Sequence, residues 1–180
     1  YPGYQLYTYI DTVYMPQNCS DWVFSFSECC RNGLITNLMS AASQNLYVES
    51  TLDNSTGSCN NSPSFTTLPV PYICAGQLVN YNLGAYDIDG DSLVYTLINA
   101  MGGPGAPLAY NAPYSGSYPI TTNSGSVSFD PITGNLVLNP NGIQTCIVTV
   151  LVEEYRNGIF IGSIMRDIQV IALNCPQNTQ

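Results

Sequence analysis

Three aspartates stand at alternate positions in the segment Tyr86-Asp87-Ile88-Asp89-Gly90-Asp91-Ser92-Leu93-Val94-Tyr95. Hard carboxylate oxygens on a short, glycine-containing loop suit calcium, so Asp87, Asp89 and Asp91 are candidate calcium ligands. The spacing is not that of an EF-hand. Counting from Asp87, position 6 is Ser92 where glycine is needed, and position 12 is Ile98 rather than glutamate. A second role is open to the same residues, in which the carboxylates cap the turn by accepting backbone N–H bonds. The remaining acids offer less. Glu153 and Glu154 are adjacent on an expected strand and point to opposite faces, which precludes a close acid–base pair. Asp11-Thr12-Val13 lacks the glycine of an aspartic-protease loop.

The seven cysteines are the other reactive set. None forms a C-x-x-C pair, so neither a zinc ribbon nor a thioredoxin-type motif is indicated. Cys19, Cys29, Cys30, Cys59, Cys74 and Cys175 are expected in disulfides, which places the chain in an oxidising compartment. Connectivity stays open. The pairings favoured are Cys59–Cys74, which flank a proline-rich stretch, and Cys19 with Cys29 or Cys30, which flank one strand. Cys146 lies inside an apolar strand and reads as a buried free thiol.

What is missing excludes whole classes of chemistry. The chain has 180 residues, no histidine, and a Lys+Arg total of 3, all arginine, against 12 Asp+Glu. Without histidine there is no Ser-His-Asp triad and no histidine-bound zinc. Without lysine there is no Schiff base. Three scattered arginines on a chain of net charge −9 cannot neutralise a run of phosphates, so nucleic acid is not an expected partner. Anionic membrane surfaces are disfavoured likewise, and no apolar run approaches the ~20 residues of a membrane span. No paired carboxylates are evident and an enzyme is not expected. No cofactor is required, with calcium the one candidate. The opening Tyr1-Pro2-Gly3 has no basic n-region, and the chain reads as a mature segment.

The elements that must position these residues are strands. Residues 4–14 are rich in Tyr, Thr, Ile and Val, and Trp22, Phe24 and Phe26 alternate with Val23, Ser25 and Ser27. Further strands are expected at 46–52, 72–83, 93–98, 126–130, 135–138, 143–155 and 159–173, with the last two joined by an Asn157-Gly158 turn. One short helical turn fits within 33–44. Residues 99–125 are too long for a plain connection, and read as either elaborate packing or a contact surface. Turns every 8–12 residues with no long helix predict an all-β protein of sandwich type. Two tandem modules are expected: a partial one at 1–60, a proline-rich linker at 61–71, a full sandwich at 72–175, and a tail at 176–180. The first has too few strands to close, so a neighbouring copy is expected to complete it.

Asp87-Ile88-Asp89-Gly90-Asp91-Ser92-Leu93-Val94-Tyr95 and Phe129-Asp130-Pro131-Ile132-Thr133-Gly134-Asn135-Leu136 resemble, in this order, the D-x-D-G-D-x-L-x-Y and F-D-x-x-T-G-x-L motifs of cadherin-like bacterial repeats. Asn60-Asn61-Ser62-Pro63-Ser64-Phe65 resembles the cadherin linker without its carboxylates. With Cys19-Ser20-Asp21-Trp22, Ser27-Glu28-Cys29-Cys30-Arg31-Asn32-Gly33, Pro69-Val70-Pro71-Tyr72-Ile73-Cys74 and Val150-Leu151-Val152-Glu153-Glu154-Tyr155, nearly the whole chain resembles one repeat of the giant cell-surface adhesins of Bacteroidota, the SprB-like gliding-motility type. That resemblance implies Ig-like or cadherin-like sandwiches, type IX secretion, tandem repetition and extracellular filaments on the cell surface. It also makes Thr12, in a D-[ST]-apolar pattern, a candidate O-glycosylation site, with Ser92 a weaker one. The N-x-[ST] sequons at Asn18, Asn54 and Asn60 read as chance in an Asn- and Ser-rich chain.

The expected function is therefore a structural repeat of a secreted adhesin or filament, binding identical repeats or subunits and through them surfaces or other cells. The alternative is a glycan-binding module, with Trp22 and the loop tyrosines Tyr110, Tyr114 and Tyr118 as stacking residues for surface glycans.

Overall fold

The computed structural model describes residues 5–57, 59–69 and 72–176. Tyr4, the Val70-Pro71 end of the expected linker and most of the expected tail lie outside these. The strands are β1 (Trp22–Glu28), β2 (Leu46–Leu52), β3 (Ser64–Phe65), β4 (Tyr72–Cys74), β5 (Val79–Asn82), β6 (Ala85–Tyr86), β7 (Ser92–Ile98), β8 (Met101–Gly103), β9 (Ala106–Pro107), β10 (Ser128–Phe129), β11 (Asn135–Leu138), β12 (Gln144–Arg156) and β13 (Ile159–Leu173). The expected helical turn is a single 3-10 turn, Ala41–Ser43.

The long β12–β13 hairpin organises the molecule. Asn157 and Gly158 both have positive φ, 53° and 80°. That is the two-residue turn whose twist matches its strands, and glycine takes such a φ at no steric cost. The main sheet runs β7-β12-β13-β2-β8-β9, with β1 on β2 and β4 parallel to β13. A three-stranded sheet, β10-β11-β5, covers one face, and β3-β6 forms a small third ribbon. The chain is an all-β sandwich.

β12 is buried on both faces. Cys146, Val148, Val150 and Val152 point to one side, where Leu136 and Leu138 of β11 meet them in the main core. Ile147 points to the other, with Ile35, Leu38, Ala100 and Leu108 in a second core. Each such aliphatic side chain contributes about 1.5–3 kcal/mol by leaving water. The two family-like motifs meet beside this core. The Gly134 backbone, at φ +67°, lies so close to the Tyr95 ring that an added Cβ would sit 3.0 Å from it. Tyr95 in turn brackets Ala85, its hydroxyl donating to the Ala85 carbonyl and accepting from the Ala85 N–H.

Two expectations need correction, and one open alternative is decided. Residues 1–60 do not hold a sheet of their own. β2 pairs with β13 through Gly162–Ile164 and with β8 through Met101, so it belongs to the same sheet as the strands beyond the linker. The chain itself supplies the neighbours that β2 lacked in the sequence reading. Residues 5–14 form no strand, although their composition favours one. Of the two readings open for residues 99–125, elaborate packing or a contact surface, the structure shows packing. These residues include β8 and β9, and Tyr110 bridges to Leu38.

Asn37 shows how the first third of the chain is bound in. Fully buried, its Nδ2 donates to the carbonyls of Ile147 and Pro119, and its Oδ1 accepts from the Ile147 N–H. The side-chain amide thus mimics a strand on the β12 edge that β7 leaves uncovered. Asn37→Ala strands buried partners as well as removing bonds, so a loss of about 3 kcal/mol is expected. A urea titration showing an unshifted midpoint would contradict this.

Candidate functional site

The structure gathers carboxylates, but not the expected three. Asp87, Asp91 and Glu154 each bring a carboxylate oxygen within 4.8 Å of the others. Asp87 and Asp91 come from the turn between β6 and β7, which Gly90 closes at φ +80°. The Asp91 N–H donates to Asp87 Oδ1 at 2.9 Å, so one oxygen caps the turn as the second sequence reading held. Glu154 comes from the far end of β12, on the same face as Cys146–Val152, which carries it under the turn and out of solvent.

Asp89 faces away. It accepts from the Asn61 N–H at 2.7 Å and the Asn61 side-chain amide at 3.1 Å, tying the expected linker to the loop. Arg156 completes the strap. Its Nε and Nη2 donate to the two oxygens of Asp91 at 2.9 and 2.6 Å, with further bonds to the Cys59 carbonyl and Asn60 Oδ1. The guanidinium holds the Asp91 carboxyl below the usual range, and Asp91 raises the arginine.

Two oxygens remain unsatisfied: Asp87 Oδ2 and Glu154 Oε1, both buried and without a hydrogen-bond partner. Glu154 keeps one bond, from Asn60 Nδ2 to Oε2 at 3.0 Å. Burial, with Asp87 alongside, pushes its carboxyl up to about 7. Four negative groups around one guanidinium need a further positive charge. A proton on Glu154 or a hard cation against the two bare oxygens meets that need.

The proton alone makes a prediction. The folded state holds the Glu154 proton more tightly than the unfolded chain, so this contribution to stability is full below about pH 4.5 and lost as pH rises through about 7. In chelator, Glu154→Gln is expected to raise the melting temperature at pH 8 and leave it nearly unchanged at pH 4. A variant less stable than wild type at pH 8 would contradict this.

The other sequence candidates are scattered. Cys74 pairs with Cys175, Cα–Cα 5.4 Å, and Cys29 with Cys30. Neither Cys59–Cys74 nor a Cys19 pairing with Cys29 or Cys30 forms. Cys19 and Cys59 are free thiols, because the partners proposed for them are already taken. Cys146 is the buried free thiol expected, its thiol pushed up to about 11 by burial. Thr12 is exposed. Trp22 is half-buried on β1, its indole N–H donating to Asn54 Oδ1. Tyr110, Tyr114 and Tyr118 turn their hydroxyls onto their own protein. Tyr110 accepts from the Ala100 N–H, Tyr118 accepts from the Thr122 N–H, and Tyr114 reaches Gln144 Oε1. No ring pair joins these four aromatics among the described residues.

The sequence reading missed Glu154, Asn60 and Arg156 as site residues. The signal for Glu154 was its phase: it continues the apolar alternation of Cys146–Val152, so a charge there falls on a buried face. The chain matches no family model, no curated protein and no solved structure.

Proposed function

We propose that this chain is a structural module of a secreted, cell-surface adhesin or extracellular filament. It associates with identical modules, and through them attaches to surfaces or other cells, without catalysing a reaction. One observation carries this reading. Nine large apolar side chains between residues 6 and 26 are exposed, among them Leu6, Ile10, Tyr14, Val23, Phe24 and Phe26. Such a concentration marks a surface that another protein covers. The low charge of the chain supports it, since little needs to be desolvated when two copies meet. No described helix is long and apolar enough to cross a membrane. Sedimentation velocity over a wide concentration range, with negative-stain imaging, tests the reading. Oligomers or filaments are expected, and a monomer at every concentration overturns it.

Calcium enters the proposal as a brace. Asp87, Asp91 and Glu154 would hold it, with Asp89 outside the set. The bare oxygens of Asp87 and Glu154 are what the donor set has to spare. Calcium at pH 8 is expected to raise the melting temperature of the wild type, and Glu154→Gln to abolish that rise. No shift in the wild type removes calcium from the proposal.

A further inference from the structure

We infer that residues 5–14 are a donor strand, which pairs with the open edge of β1 in a second copy of this chain. The inference rests on the self-association reading above and gives it a mechanism.

The donor has every property of a strand except a partner. Gln5-Leu6-Tyr7-Thr8-Tyr9-Ile10-Asp11-Thr12-Val13-Tyr14 is made of aromatic and β-branched residues, which favour pleated, half-covered positions. Alternation sorts them into Leu6, Ile10 and Tyr14 on one face and Tyr7, Tyr9 and Val13 on the other. Yet Leu6, Ile10 and Tyr14 are 85%, 89% and 85% exposed. Among the described residues no backbone hydrogen bond joins this segment to any strand. Its hydrogen bonds are local, Tyr7 Oη to Gln5 and the Thr12 N–H to Asp11.

The acceptor lacks the complementary part. β1 pairs with β2 along all seven residues, Trp22↔Leu52 to Glu28↔Leu46, and with no other described strand. Its second edge is a free row of N–H and C=O groups. Edges of this kind are commonly guarded by lysine, proline or a bulge, and β1 has none of the three. Phe24 and Phe26 lie on the wall of an apolar cleft with Val48, Phe65, Ile164 and Met165, where an added strand extends the covered surface. The charges of the two strands are Asp11 in the donor and Glu28 at the end of β1, so pairing removes two carboxylates at most from water.

The segment does not reach that edge in its own chain. Cys19 is tied to Asn54, just beyond β2, through its N–H and its carbonyl. Met15 lies with Leu52, Asn54 and Cys59, on the β2 flank. The link into β1 is thus held at the Asn54 end of β2, and residues 5–14 make no backbone ladder with β1 of their own chain. Its ring contact with β1 is Tyr9 on Phe26, centroids 5.4 Å apart, with no ladder formed. In a second copy the donor approaches the edge unconstrained, and β-augmentation satisfies both backbones at once. Passed head to tail, this contact builds a filament; exchanged reciprocally, it builds a dimer.

Hydrogen exchange of the full chain tests this, read residue by residue at low and high concentration, beside the variant Leu6→Asp/Ile10→Asp. The substituted side chains are solvent-exposed, so the variant keeps its fold, which circular dichroism checks. For the wild type, amides of 5–14 and 22–28 are expected to slow at least tenfold on concentration. In the variant they stay fast and the assembly is lost. Assembly with protection elsewhere overturns the donor strand and leaves the self-association reading standing. Equal protection of both segments at every dilution means pairing within one chain, and overturns it too. A wild type that never assembles ends both.

Discussion

Asp167→Ala is expected to lower the free energy of unfolding by about 3–5 kcal/mol, because it leaves a buried guanidinium without its counter-charge. Arg31 and Asp167 are the deepest ion pair among the described residues, each side chain 2% exposed. They meet fork to fork, Nη1 to Oδ1 at 2.8 Å and Nη2 to Oδ2 at 2.9 Å. The spare groups are satisfied. Arg31 Nε donates to the Asn45 carbonyl, Nη2 donates to that of Met101, and Thr149 Oγ1 donates to Asp167. One side chain thus ties the loop after β1, the start of β2, β8 and the middle of β13. Breaking the pair costs more than the pair is worth, since the orphaned charge cannot reach water. The double variant Arg31→Met/Asp167→Leu is therefore expected to recover most of the loss. Urea unfolding of the wild type and the two variants decides it. If the double variant is as unstable as the single one, the geometry of the bonds matters rather than the isolated charge.

That pair also marks how far the sequence could be read. The strands it joins were legible, because period-two alternation and turn residues act locally. Residues 159–173 appear as one strand with the boundaries the pattern gives, and Asn157-Gly158 makes the hairpin turn. The pairing of β2 with β13, 110 or more residues apart, had no local signal, and a linker-like stretch between them suggested a module boundary. Asn37 was the clue: a polar residue between Leu34-Ile35 and Leu38-Met39 that must find its partner far along the chain. The acidic site divides the same way. Asp87, Asp89 and Asp91 were visible as a motif, but alternation within a tight turn does not keep three side chains together. Asp89 was drawn off by Asn61, and the third carboxylate came from a strand 63 residues beyond Asp91. The donor segment failed in the opposite sense. A strand was expected there from composition and none forms, because propensity without a partner makes no ladder.

The disulfides divide by the length of chain they close. Cys74 and Cys175 are 101 residues apart, whereas Cys29 and Cys30 are adjacent. Cross-linking restricts the unfolded chain more the longer the loop, about 4.7 kcal/mol for a loop of about 100 residues in the chain-entropy description. A link between neighbours encloses no loop and gains almost nothing by that route. Cys74–Cys175 also staples β4 to β13, the only parallel pair of the main sheet among the described residues, where Leu173 pairs with Cys74 and accepts from the Ala75 N–H. Cys175→Ser is thus expected to lower stability by about 4–5 kcal/mol, roughly 10–15 °C in melting temperature for a chain of this size. Cys29→Ser/Cys30→Ser is expected to cost less than about 1 kcal/mol. Thermal unfolding with and without reductant separates the two bonds. Reductant should bring the wild type down to the level of Cys175→Ser and leave Cys175→Ser itself almost unmoved. A wild type indifferent to reductant, or a vicinal variant that falls as far as Cys175→Ser, would show that loop closure is not what these bonds contribute.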